Sequence, residues 1–407
     1  MLKNFIKKNL TISLLIFLSL IIVINNFYRF FLHNSSYQFD PWLSNYQGGF
    51  VRRGIPGEIF YKIYQLLDIN PAIIALIFVS LLYIFFYFYF FKIFSQTKLN
   101  RLLIFLIFSP LSFYFPILNS KASGHKEIIF LFFLACFCYY LPKINKKKIS
   151  FFVILIIIVI SGLSYEILLL YIPYLLIPYI YFTNFNKANE LIFYLLIAGL
   201  VTLAMIFLNL YFKGNENIVL EICSSIKNFA NINCFNEGKI ADLKLSIEDH
   251  TLQKGNWNYG ADSLYASYFK IYFIGFFVGF FPLIYLLLKS KISKTKIKFL
   301  CFSPAIMLFL PMLFLFPIFY MGADWGRYLY IAYSSSLIVT LFLIKNSILI
   351  QKNESSLLNK FISRPIFILI IFVYCFGWTV PICCEKKFKP GIYKVIDRGI
   401  YYYYKEN

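Results

Sequence analysis

Between residues 39 and 54 the chain reads Phe-Asp-Pro-Trp-Leu-Ser-Asn-Tyr-Gln-Gly-Gly-Phe-Val-Arg-Arg-Gly. The adjacent Arg52 and Arg53 offer planar forks that match the oxygens of a phosphate, so the pair points to an anionic partner. Gly48, Gly49 and Gly54 open backbone conformations that bring the main chain close to a ligand. Anchoring to lipid headgroups is the plainer alternative for the arginines. A loop with only that task would not need Asp40, Trp42 and three glycines together. A second cluster, Asn119-Ser120-Lys121-Ala122-Ser123-Gly124-His125-Lys126-Glu127, gathers three potentially cationic side chains and one acid. His125 there is a candidate ligand or acid/base, against a purely structural role. In Ser164-Tyr165-Glu166 a carboxylate sits at the junction of two apolar stretches, where an ionised group is costly and needs a partner or a task. A helix cap is the alternative. The fourth cluster is Gly322-Ala323-Asp324-Trp325-Gly326-Arg327-Tyr328. Asp324 and Arg327 stand three apart, so a simple ion pair at a helix start competes with a binding role.

The elements that must position these clusters are membrane helices. Apolar runs of bilayer-spanning length recur along the chain, at about 10–31, 71–91, 102–118, 127–141, 150–164, 167–182, 191–212, 268–288, 299–319, 329–344 and 363–381. The expected fold is an all-α, polytopic bundle of about eleven spans forming one membrane domain, 1–407. A polar segment at 213–267 is inserted between spans, and a tail at 382–407 lies outside. Apolar residues Ile59, Phe60, Ile63, Tyr64 and Leu67 follow Pro56 at the spacing of an amphipathic helix lying in the outer interface.

The composition agrees: 60% of the 407 residues are hydrophobic and only 14% charged, against roughly 25% in a soluble chain. The formal charge of +21 suggests nucleic acid until topology is considered. With the N-terminus cytoplasmic, the short basic loops fall inside, and of the 18 acidic residues only Glu190 and Glu354 join them. That is the positive-inside pattern of a multi-pass protein, here expected in a bacterial cytoplasmic membrane with the C-terminus outside, and nucleic acid is excluded as a partner. The run after Lys3, Lys7 and Lys8 is long and lacks a small-residue cleavage site, so it reads as a retained first span. Cys223 and Cys234 fall in the outer 213–267 segment, in an oxidising compartment, and could form a disulfide. No Cys/His spacing matches a zinc site.

All four clusters fall on the outer face, and the spans are almost bare of charge. A transporter should carry polar groups along several spans and on both faces. The pattern resembles the membrane-embedded glycosyltransferases of the GT-C superfamily. These have many spans, an essential acid in the first outer loop and interfacial helices in that loop, and they take sugar from a polyprenyl-phosphate carrier. Asp40 matches the acid and residues 56–68 the interfacial helix. The Gly-Gly-Phe-Val-Arg-Arg-Gly stretch also resembles bacterial membrane proteins of surface-polysaccharide synthesis. The resemblance implies transfer of a polyprenyl-phosphate-linked sugar to a glycan or lipid acceptor. Asp40 would then be the general base, and Arg52, Arg53, Lys126 and Arg327 would neutralise the leaving phosphate. Trp42 or Trp325 would stack on sugar, and Glu166, His125 and Asp324 would complete the substrate site. Many relatives carry two neighbouring acids where Asp40 stands alone, with Glu58 distant, so a divalent cation is left open. An O-antigen-type polymerase and a lipid-linked oligosaccharide flippase are the alternatives.

Overall fold

The computed structural model describes residues 2–32, 36–95, 97, 105–144, 146–183, 185, 187–226, 240–245, 264–293, 304–322, 324–351, 365–383 and 387–391. The described chain is helical almost throughout, with only two short antiparallel strand pairs. Six of its helices are long and apolar enough to cross a membrane: Pro71–Phe94, Glu127–Ile144, Lys147–Ser164, Ala188–Tyr211, Phe269–Leu288 and Trp325–Lys345. The chain is therefore a multi-pass membrane protein. It divides into two compact units, residues 1–92 with 123–254 and residues 93–122 with 255–407.

The first unit begins with α1 (Leu2–Leu32), then α2 (Ser36–Leu43) and α3 (Ile55–Leu67). Pro56 sits in the first turn of α3, where its missing N–H costs nothing. Asp68 ends the helix in the left-handed region, its N–H bonded to the Tyr64 carbonyl at 2.8 Å. Gly57 lets α3 press onto α2, because a Cβ there would run into the Ser44 carbonyl. Phe60 and Trp42 both set ring edges against Phe78 of α4 (Pro71–Phe94). Ile59, Leu66 and Leu67 remain exposed, the uncovered apolar side expected of an interfacial helix.

A short helical turn, α5 (Phe115–Leu118), belongs to the second unit. The first unit resumes with α6 (Glu127–Ile144) and α7 (Lys147–Ser164). Tyr165 is extended, and the chain re-enters as a 3-10 turn over Glu166–Tyr171 before α8 (Pro173–Phe182). The stretch expected as one span at 167–182 is thus a single apolar helical run, Glu166–Phe182, that tightens to a 3-10 turn in its first part and passes into α8 through Ile172 in a helical conformation. Pro173, which lacks an N–H donor, stands in the first turn of α8, where the run changes from 3-10 to α. The last long helix of the unit, α9 (Ala188–Tyr211), turns Ile192, Phe193, Leu196, Leu200, Leu203 and Phe207 outward, an apolar face suited to lipid. The amphipathic α10 (Glu216–Ile226) follows.

In the second unit α11 (Leu264–Leu288), α12 (Pro304–Leu313), α13 (Phe316–Met321), α14 (Trp325–Lys345) and α15 (Pro365–Phe376) pack with two strand pairs. In the first pair Ser290–Ile292 lies against Leu349–Gln351, and in the second Trp378–Thr379 lies against Lys389–Pro390. Buried residues run almost the whole length of α14, which makes it the axis of this unit. The expected span at 102–118 is not a continuous helix among its described residues. Turns occupy 108–114, where Pro110 removes a donor, and one helical turn follows at Phe115–Leu118. The backbone groups freed there are satisfied locally, Ser112 N–H bonding the Ser109 carbonyl and Phe115 N–H the Ser112 carbonyl, each at 2.8 Å. The expected span at 299–319 divides in the same way into α12 and α13, with Pro311 and Pro317 at the break.

Candidate functional site

The first and third clusters and the Ser123–Glu127 part of the second belong to the first unit, where Trp42, Arg52, Arg53, Lys126 and Glu166 are linked by hydrogen bonds, ion pairs and ring contacts. Asn119–Ala122 belong to the second unit, where Asn119 donates to the Val380 carbonyl at 3.2 Å. Arg53 is the centre of the first-unit network. Its backbone lies in the left-handed region at φ 66°, unusual for a residue with a Cβ and costly unless the surroundings enforce it. From that position the guanidinium grips Glu166 through Nε, at 3.0 and 2.8 Å from the two carboxylate oxygens, and through Nη2. It also lies over the Tyr165 ring at 5.0 Å. Arg52 points to the same carboxylate from 3.8 Å, while its Nη2 donates to the carbonyls of Asp242 at 3.1 Å and Leu245 at 3.1 Å. The inserted 213–267 segment thus ties back to the first loop. The Arg52 main chain adds a bond from its N–H to the Phe212 carbonyl at 3.0 Å.

Lys126 links the second cluster to the other two. Only 2% exposed, its ammonium donates to the Arg53 carbonyl at 2.9 Å and the Ser164 carbonyl at 3.1 Å. It also stands 5.8 Å from the centre of the Trp42 ring. Trp42 is fully buried, with its indole N–H donated to the Gly124 carbonyl at 2.7 Å. In this conformation it packs rather than offering a face to sugar. His125 is buried beside Lys126. Ser123 donates to Asn26 Oδ1 at 2.5 Å, which brings α1 into the network. Glu58 accepts from the Tyr46 N–H at 2.9 Å and so braces the loop ahead of the arginines. Gly49, at φ 111°, makes the turn that a residue with a Cβ would resist.

Asp40 lies on α2, two residues before Trp42, and is 2% exposed. Its Oδ1 finds no hydrogen-bond partner among the described residues. Burial pushes its carboxyl up to about 7, with a backbone hydrogen bond opposing in part. Burial disfavours the charge on Glu166, yet the guanidinium of Arg53 overcomes it and holds that carboxyl down at about 2. Burial likewise works against the charge of Arg53, but Glu166 prevails and keeps it raised. Lys126 is held well below the ordinary lysine range by burial and by Arg53. Arg52 and Arg53 therefore meet at the Glu166 carboxylate, with Asp242 also favouring both guanidinium charges and Glu127 that of Lys126.

The fourth cluster belongs to the second unit. Asp324 and Arg327 make an ion pair of 3.0 Å at the start of α14. Arg327 is buried, and Trp325 donates its indole N–H to the carbonyls of Phe319 at 2.8 Å and Gly322 at 2.7 Å. Among the described residues no group of three or more His, Cys, Asp or Glu comes together to hold a metal ion. Cys223 is disulfide-bonded and buried, while Cys234 lies outside the described residues. Sequence reasoning missed Asn26 and the 242–245 carbonyls, and gave no role to Ser123 and Tyr165 within their clusters. Main-chain acceptors leave no signal in residue identity, and Ser or Asn near a span end is common. No family model matches the chain, and neither a search of curated proteins nor one of solved structures finds a similar one.

Proposed function

We propose that the chain is a membrane glycosyltransferase that takes sugar from a polyprenyl-phosphate carrier on the outer face of a bacterial cytoplasmic membrane. In this reading it crosses the bilayer about eleven times, N-terminus inside and C-terminus outside, in agreement with the distribution of basic loops. The observation that carries the proposal is Asp40: a buried carboxyl with one unpartnered oxygen, titrating near 7, on the helix whose Trp42 adjoins the Arg52–Arg53–Lys126 cluster. A base is most useful when its pKa lies near the working pH. The acceptor oxygen would bond to the anomeric carbon as the bond from that carbon to phosphate oxygen breaks. The acceptor proton would pass to Asp40, and the electron pair would leave on the phosphate, whose developing charge Arg52 and Arg53 would offset.

A flippase is the second reading. It draws on the broken 105–118 segment, whose Ser109 donates to the Gly279 carbonyl of α11 at 3.0 Å, since discontinuous helices mark substrate paths in transporters. The leaflet of the accumulated lipid separates the two. In cells carrying Arg52→Lys, the transferase reading expects lipid-linked donor or acceptor to build up on the outer leaflet. Accumulation confined to the inner leaflet would overturn it. Reporter fusions near residues 47 and 240 should read outside and those near 146 and 352 inside.

A further inference from the structure

Lys126 stood out in the sequence as a cation for a substrate phosphate, but its ammonium is directed elsewhere. It is 2% exposed, and two of its three N–H donors are spent on main-chain carbonyls, those of Arg53 at 2.9 Å and Ser164 at 3.1 Å. Those carbonyls belong to the two segments that the Arg53–Glu166 pair also joins. Ser164 closes α7 two residues before Glu166, and residue 53 is the one whose backbone is left-handed at φ 66°. A left-handed arginine turns its carbonyl away from the direction an ordinary turn would give it, and Lys126 bonds that carbonyl. We propose that Lys126 is a positioning residue: it clamps the Arg53 and Ser164 carbonyls together and thereby sets the geometry of the Arg53–Glu166 ion pair.

Two alternatives place Lys126 differently. As a phosphate ligand it would need a free N–H pointing at solvent or bilayer, whereas it is enclosed by Trp42, Arg53 and Ser164. As a simple space-filler it would not need its charge, and a buried ammonium is costly without partners. Two charge-assisted bonds to carbonyls account for its retention. The clamp does not depend on the transfer reaction, so it can fail while the transferase reading stands, and the reverse.

The test is the thermal coupling between Arg53 and Glu166 in full-length, detergent-purified protein. Unfolding midpoints are measured for Arg53→Ala, Glu166→Ala and the double variant, each with Lys126 intact and with Lys126→Met, which keeps the stem and removes the ammonium. With Lys126 present the double variant should depart from additivity by on the order of 2–4 °C. In the Met background that departure should vanish, and Lys126→Arg, which keeps donors on the same carbonyls, should restore part of it. Equal coupling in the Lys and Met backgrounds overturns the clamp, as does an Arg background no better than Met. Should Lys126→Met fail to yield folded protein, Lys126→Gln replaces it: its amide can serve one carbonyl, so reduced coupling supports the clamp and undiminished coupling overturns it.

Discussion

Asp40 ties stability to pH in a way that can be worked out from its surroundings. Burial moves its carboxyl from the ordinary 3.8 to about 7. Below about pH 3.8 the group is protonated in folded and unfolded chains alike and costs nothing. Between there and pH 7 the unfolded chain releases the proton while the folded one keeps it, so stability falls as pH rises. At 1.36 kcal/mol per pH unit the full cost above pH 7 is on the order of 4 kcal/mol, of which about 2–3 kcal/mol accrues between pH 5 and pH 8. Asp40→Asn preserves size and removes the ionisation. The Asn variant should therefore gain on the wild type by that amount as pH goes from 5 to 8, although it loses the base. The assay is the unfolding midpoint of purified protein in detergent at the two pH values, referred to a common ΔG scale by denaturant titration. A gap between variant and wild type that is unchanged from pH 5 to 8, or that closes, refutes the burial argument.

Glu166→Gln leaves Arg53 and Arg52 facing each other with only the weaker influence of Asp242 to oppose their charge. Breaking a buried pair costs roughly 3–5 kcal/mol, and the partial exposure of the Glu166 side chain (22%) places the expected loss near the bottom of that range. Arg53→Met combined with Glu166→Leu should cost less than Glu166→Gln alone; a double variant that is worse by denaturant titration would show that the charge balance is not what matters. Alkylation should label Cys223 only after reduction, and Cys234→Ser should expose it without reductant; labelling unaffected by Cys234→Ser would assign its partner elsewhere. Gly57→Ala normally favours a helix, but here the new Cβ meets the Ser44 carbonyl, so a loss of about 1–3 kcal/mol is expected, and a raised unfolding midpoint would contradict the close α2–α3 contact.

Long apolar helices were the most legible part of the sequence, because hydrophobic length answers directly to the bilayer. Where proline interrupts such a run, length misleads. Pro110 breaks a stretch that hydropathy alone reads as continuous, and only the packing of 105–118 against α11 shows how a broken segment is tolerated. The boundary between the two units was invisible, since no linker composition marks it. Arg52, Arg53, Lys126 and Glu166 each stood out as costly residues in an apolar chain. Their partners did not: the Arg53–Glu166 bond joins residues 113 apart, and the acceptors of Lys126 are main-chain oxygens that any residue type supplies. The left-handed backbone at Arg53 was equally hidden, because the glycine that usually reports such a conformation stands one place later, at Gly54.

The most direct test of the account is sugar transfer by purified protein reconstituted in proteoliposomes with a polyprenyl-phosphate-linked sugar pool and acceptor lipids from cells that express it. The wild type should convert the carrier-linked sugar to product, with a rate that climbs as pH rises through 7 and Asp40 ionises. Asp40→Asn, confirmed as folded, should lower that rate by roughly 100- to 10,000-fold while leaving the carrier-linked sugar intact. Product formed by Asp40→Asn at the wild-type rate would contradict the account.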